Sequence, residues 1–267
     1  MSRLSQTLFA DWSIPRILYH FMYKLLATLW RVFDGIRLIP RRLLRLIDHF
    51  IHGIYWIEFR LRKPSNPIEM LAQMGFWWIE LVLYTLDLLG IGEWYETLCD
   101  WVKLNTRSLK DWELQLARQV FGDTINYRRV RIDQLATLGP WQKQVCYVSF
   151  NTVNSWGNMN NSLLIHELVH VWQYQQIGMV YMPRAIAGML SAAGYNYGGV
   201  GALQEAKERG QSLGDFNLEQ QADIVADYYR ISSGYRPAWG NGKTTDLPIY
   251  EYFIQQLQRP LPTRKSF

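Results

Sequence analysis

The 267-residue sequence predicts an α+β protein, mainly helical, with a small sheet in its C-terminal part. Three observations carry this reading. Apolar residues recur at helical spacing through most of the first 105 positions. Two short runs rich in β-branched and aromatic residues, Tyr127 to Ile132 and Val145 to Val153, read as strands. Finally, 49% apolar residues, 15% aromatics and only 19% charged residues are enough for a buried core and exclude a disordered chain. Cys99 and Cys146 lie far apart with no CxxC, which excludes a disulfide framework and a cysteine zinc knuckle and fits a reduced compartment. The expected organisation is a helical, basic, aromatic-rich module over 1–105, a second domain over 106–258 and a tail over 259–267.

The first module carries the positive charge. Residues 1–63 hold 11 Lys/Arg against 4 Asp/Glu, and the rest of the chain holds 17 against 19. Two helices are expected between Ile14 and Lys63, broken near Pro40. The second repeats apolar residues at Leu43, Ile47, Phe50, Ile54, Ile57 and Leu61, leaving Arg42, Arg45, His49 and His52 on other faces. One reading is a hairpin packed on the rest of the protein with solvated arginines. Another lays residues 14–63 on an anionic membrane, with arginines on lipid phosphates; a helical protein partner would satisfy the same pattern. Nucleic acid is not expected, because the segment is too rich in Leu, Ile and Trp. His49 and His52 have metal-ligand spacing but no third ligand nearby, so a solvated face is expected.

Residues 68–104 are apolar on all sides, which suits a central buried helix or one dipped into lipid. Gly90 and Gly92 punctuate them before a helix from Glu93 to about Leu104. Glu80 and Asp87 interrupt Met70 to Gly92, so no transmembrane helix is expected. Asp11 and Arg16 likewise break any signal-peptide core. The expected location is therefore cytoplasmic with peripheral membrane association, or outside the cell by a non-Sec route.

After Asn105 the texture is that of a soluble domain. Leu109 to Val120 reads as an amphipathic helix closed by Gly122, and Gly139 and Pro140 mark a loop between the two strands. Asn158, Asn160 and Asn161 offer N-caps for a helix through Gln175, with Gly178 as its stop. Ala185 to Gln204, uncharged and with five glycines, reads as a flexible connection. Glu219 to Tyr229 reads as a further helix.

The helix beginning near Asn161 contains His166-Glu167-Leu168-Val169-His170, an HExxH motif. Residues i and i+4 project from one helix face, so two imidazoles can share one zinc. Glu167 lies on the same side and can take a proton from zinc-activated water. The chance of this motif in a chain of this composition is about 0.004. All five histidines, His20, His49, His52, His166 and His170, lie at or before the motif, so a carboxylate must supply a third ligand. Glu205, Glu208, Asp215, Glu219, Asp223 and Asp227 are available. Glu219 is the expected ligand and Asp223, one turn on, the expected partner of a ligand histidine.

LLIHELVHVWQYQQ (163–176) followed by FNLEQQADIVADYY (216–229) resembles the zinc metallopeptidase domain found with Rhs/Vgr-type toxins and contractile injection systems. Phe121-Gly122-Asp123 and Val130-Arg131-Ile132 are similar to that domain's lead-in. The resemblance covers roughly residues 109–232. It implies a zincin-like fold of the gluzincin kind, with His166, His170 and Glu219 on zinc and Glu167 as general base. The chain departs from a typical gluzincin in the glycine-rich stretch Gly188 to Gly201 between the ligands.

The expected function is thus a zinc-dependent hydrolase, a metallopeptidase acting on peptide or protein and associated with a secreted effector. Tyr195, Tyr197 and Tyr228 are candidates to assist the oxyanion, and the strand Val145–Val153 to pair with an extended substrate. Two alternatives stand beside it: a catalytically silent, metal-stabilised adaptor of a secretion apparatus, and a membrane-acting toxin or anchor carried by the N-terminal helices.

Overall fold

The computed structural model describes residues 14–62, 66–103, 106–136 and 146–258. The loop expected at Gly139 and Pro140 and the tail over 259–267 lie outside these residues. The first element, α1 (Ile14–Arg62), is one continuous helix with Pro40 inside it, not the expected pair. Proline removes a single N–H, the one that would bond the Ile36 carbonyl. Arg31 before it and Arg42 and Arg45 after it are anchored on the same neighbouring helices, which holds one axis across the gap.

Those neighbours are α2 (Pro67–Leu88) and α3 (Ile91–Val102), joined at Gly90. Their contacts with α1 correct the expected solvated arginines. Arg31 pairs with Asp100 at 2.8 Å, Arg42 with Glu93 at 2.5 Å and Arg45 with Asp87 at 2.9 Å. All six side chains are buried. Lys24 continues the row, donating to the carbonyls of Asp100 and Lys103. Positions 24, 31, 42, 45 and 49 are separated by near-whole helical turns and so make one stripe. His49 ends it, buried and stacked on Trp77 at 4.9 Å rather than solvated. The stripe Leu43, Ile47, Phe50 and Ile54 faces outward instead.

The sheet has the order β1-β2-β4-β3, from β1 (Thr106–Arg107), β2 (Arg131–Asp133), β3 (Tyr147–Ser149) and β4 (Thr152–Asn154). It is mixed: β1–β2 and β3–β4 are antiparallel and β2–β4 is parallel. The expected single strand Val145–Val153 is therefore a tight hairpin within its described part. Phe150 takes φ 60°, and its ring is held between Tyr95 and Tyr174. The buried Glu96 carboxylate accepts the Asn151 N–H at 2.6 Å. Tertiary partners thus stabilise a turn that no glycine announces.

The core lies under the sheet around α4 (Asp111–Phe121), α5 (Asn161–Ile177) and α8 (Leu218–Ser232). The side chain of Asn160 caps α5 by accepting the Leu163 N–H at 2.8 Å. Gly178 ends the helix at φ 76°, where a Cβ would collide with Asp87. Between α5 and α8 run α6 (Tyr181–Leu190) and α7 (Gly199–Glu208), and α9 (Leu247–Ile254) closes the domain. Ala185 to Gln204 is thus largely helical, not a flexible connection. Gly188 is there for close approach, since a Cβ would lie 2.9 Å from the Asn217 side-chain oxygen Oδ1. The two cysteines are not joined.

Candidate metal centre

The site is made where α5 and α8 pack side by side, the most extensive helix pairing among the described residues. Leu164, Ile165, Leu168, Val169 and Trp172 of α5 are buried, as are Ala222, Ile224, Val225 and Ala226 of α8. This apolar contact fixes the register of the two helices, so the polar residues between them meet at set positions. His166 and His170 leave α5 one turn apart, and Glu219 enters from the first turn of α8.

Glu219 Oε2 lies 3.5 Å from His166 Nε2 and 3.3 Å from His170 Nε2. The three residues form a group able to hold a metal ion, their ligand atoms all within 4.8 Å of one another. The separations also fit one. Tetrahedral bonds of about 2.0–2.1 Å put neighbouring donors about 3.4 Å apart.

Each imidazole is oriented by its other nitrogen. His166 Nδ1 donates to Asp223 Oδ1 at 2.9 Å, and His170 Nδ1 donates to Gln173 Oε1 at 2.8 Å. A carboxylate only accepts, so the His166 contact fixes Nδ1 as the protonated nitrogen and turns Nε2 toward Glu219. Gln173 is held by its amide, which donates to the Leu218 carbonyl and to Gln221. Trp239 Nε1 donates to the second Asp223 oxygen at 2.5 Å. Asp227, fully buried, accepts from the backbone N–H groups of Ala238 and Trp239 and so pins that loop to α8.

Sequence reading missed Gln173 and Trp239. The signal for Gln173 was an amide one turn past His170, on the same side of the helix. Trp239 left no local signal, because it reaches the site from a loop. Among the other acids considered, Glu205, Glu208 and Asp215 are exposed elsewhere.

The electrostatics follow from burial and proximity. Burial alone would lower the His166 pKa, but the hydrogen bonds to Asp223 and Glu219 win and raise it to about 10. His170 is also raised, as the Glu219 charge outweighs burial. Burial would raise Glu219, yet the two imidazoles bring it down to about 2. Without an ion, both imidazoles thus hold a proton more tightly than a free histidine does, around an ionised carboxylate. Glu167 is different. Its side chain is buried, its Oε2 has no hydrogen-bond partner, and burial raises its pKa against the pull of His166 and His170.

The tyrosine candidates separate clearly. The Tyr195 ring lies 6.1 Å from that of His166, and burial and then the nearby Glu219, Glu167 and Asp223 charges raise its hydroxyl to about 12. Tyr197 is buried against Asp227 and Tyr250, in a structural role. Tyr228 is influenced by Glu251, away from the histidines.

No family model matches the chain. The type VI secretion system spike protein VgrG2b of Pseudomonas aeruginosa is 31% identical over 162 residues. That match takes in 51% of this chain but only 14% of the spike protein's own length. A solved structure, the effector domain of Pseudomonas aeruginosa VgrG2b, matches at 31% identity over 48% of this chain and 75% of that one, with a TM-score of 0.31. The sequence similarity relates half of this chain to a segment of a Vgr-type spike protein. Among its described residues, no single helix is long and apolar enough to cross a membrane.

Proposed function

We propose that the chain is a zinc-dependent metallopeptidase with a zincin-like catalytic domain, acting as an effector exported by type VI secretion, a non-Sec route. The observation that carries this reading is the convergence of His166 Nε2, His170 Nε2 and Glu219 Oε2 at tetrahedral-edge distances beside Glu167, whose buried Oε2 has no hydrogen-bond partner. Two imidazoles and a carboxylate suit zinc and leave a fourth position for substrate. Zinc held there supplies a Lewis acid that polarises a carbonyl and makes water a usable nucleophile near neutral pH.

The chain's own residues do the rest. Glu167 accepts the proton of the attacking water and delivers it to the leaving amine nitrogen. Its apolar surroundings favour this double role, because they bring the carboxyl's proton affinity closer to neutrality. Asp223 and Gln173 hold the imidazoles in the tautomer that leaves each Nε2 bare. Tyr195, whose ring lies 6.1 Å from that of His166, is the hydroxyl that would donate to a developing oxyanion. An extended substrate pairs with β3, an edge strand of the described sheet that leads from Cys146. Cys146 lies close enough for the Glu167 charge to add to burial in raising its thiol pKa.

The test is a metal assay and a broad peptide-library digest of the wild type beside Glu167→Gln. The wild type is expected to hold about one zinc per chain and to cleave. The amide variant should keep metal and fold but lose about 10²–10⁴-fold in turnover. Undiminished cleavage by that variant, or a wild type that binds no metal, would overturn the reading.

A further inference from the structure

The N-terminal helices are built the wrong way round for water. Of the 37 large hydrophobic side chains exposed among the described residues, 31 lie before Lys103. Ile36, Leu44, Ile54, Val82, Trp94 and Leu98 are each more than half exposed. On α1 the exposed charges are few, Arg37, Arg41 and Glu58 among them, and beyond Leu71 the charges turn inward. Between Leu71 and Val102 the chain has five charged residues, Glu80, Asp87, Glu93, Glu96 and Asp100, and all five are buried. The outer surface of these 32 positions therefore carries no charge at all.

We propose that this face of α1, α2 and α3 is seated in the hydrocarbon and headgroup boundary of a lipid bilayer, lying in its plane. Three features select lipid over a protein surface. A protein interface is ringed by polar groups that meet polar groups, whereas this one is uncharged on its outer side from Leu71 to Val102, with Glu69 at its edge in the first turn of α2. The two helices meet at a 65° bend, giving an irregular outline that fluid acyl chains fill without matching. Trp30, Trp78, Trp94 and Trp101 are all exposed on this face, and tryptophan favours the headgroup level.

The orientation follows from length. From Leu18 to Tyr55 the exposed stripe of α1 runs about 56 Å at 1.5 Å per residue, nearly twice a hydrocarbon core of about 30 Å. One side of that helix is covered by the buried ion-pair row, so lipid meets it on the other side only. This is the geometry of a monotopic segment. Arg31, Arg42 and Arg45 are already paired with carboxylates, so attachment does not depend on their reaching lipid phosphates.

The full chain is floated with vesicles of pure zwitterionic phosphatidylcholine and with vesicles containing anionic phosphatidylglycerol. It is expected to bind both, and to stay bound at about 1 M NaCl, where the Debye length falls to about 3 Å. Trp94→Glu with Leu98→Glu, and separately Leu44→Lys with Ile47→Lys, should each weaken flotation by about tenfold or more. Their melting temperatures should match the wild type, as these side chains point away from the protein. Trp112→Glu, exposed on α4 outside this face, should change nothing. Failure to float, binding only to anionic vesicles, or unchanged flotation of both double variants would overturn the proposal. So would a stable soluble dimer split by the same substitutions, which would assign the face to a second copy of the chain.

Discussion

The pair α5/α8 and the trio α1/α2/α3 solve opposite problems. In α5 and α8 the apolar residues face each other, and the buried polar groups gather around His166, His170 and Glu219 or, like Asp227, hold a neighbouring loop. In α1 to α3 the buried seam is ionic and the apolar residues face out. Burial in water is driven by removing apolar surface, so the first arrangement is what an aqueous chain adopts by default. The second places its carboxylates and guanidinium groups where desolvation is costly and leaves its aliphatic surface unburied. Such a seam needs every partner in place. The two regions therefore differ in what a single substitution should do.

The largest expected effect lies in the α5/α8 region, and it is on chemistry alone. Glu167→Gln should cost about 10²–10⁴ in turnover, while its melting temperature stays near that of the wild type. A melting temperature that falls along with turnover would make Glu167 a structural group and remove the contrast between the two regions.

The ionic seam should show the reverse, a loss of stability with no change in chemistry of its own. Arg42 lies against both Glu93 and Asp87, and all three are buried. Arg42→Ala leaves two buried carboxylates with fewer partners and should destabilise the fold by about 3–5 kcal/mol. The measurement is the midpoint of denaturant unfolding. Replacing Leu44, its exposed neighbour, with Ala should move that midpoint little. Equal losses at both positions would mean that α1 is packed conventionally.

Much of the α5/α8 region was legible in the sequence. HExxH spacing set two donors on one face, Asn160 and Gly178 marked the ends of α5, and the turn between Glu219 and Asp223 brought two acids to the same side of α8. These are local periodicities, and a helix fixes them. The parts that stayed hidden depend on distant contacts. Trp239 reaches Asp223 because Asp227 holds its loop. The hairpin at Phe150 depends on Glu96, 55 positions away. Pro40 signals a break that the ion pairs on either side override. The two stripes of α1 were visible as well, but periodicity gives the faces of a helix and not which face is turned in. That choice was made by the acids of α2 and α3.

Within the metal centre, the supporting residues should matter less than the donors. Asp223→Asn keeps the shape of the side chain but weakens its hold on His166 Nδ1. It should lower metal affinity about 10–100-fold, read by competition with a chromophoric chelator. An unchanged affinity would make Asp223 a partner of Trp239 alone.

The smallest effect is graded with pH and follows from the metal-free charges. His166 sits at about 10 in the folded protein, above the ordinary histidine value near 6.5. Its proton therefore stabilises the metal-free fold fully below pH about 6.5, and that contribution is lost as pH rises toward 10. Glu219, lowered to about 2, works the other way: its contribution is present above the ordinary carboxylate value and disappears only as pH falls toward 2. Between pH about 6.5 and 10, then, Glu219 stays ionised while His166 gives up its proton. A metal ion needs both nitrogens bare, so it competes with that proton. Apparent affinity should rise by at least about tenfold per pH unit across this window, as the His166 proton is displaced, and more steeply wherever His170 also gives one up. The difference in melting temperature between metal-loaded and metal-free protein should be smallest near pH 6 and widen toward pH 9. The Arg42 and Asp87 seam shares no ion pair with His166 or His170 and should contribute nothing to that widening, so Arg42→Ala should lower both curves and leave their separation unchanged. A separation that is flat with pH would mean that the histidines are already neutral before the ion arrives, and that Asp223 and Glu219 do not hold their protons.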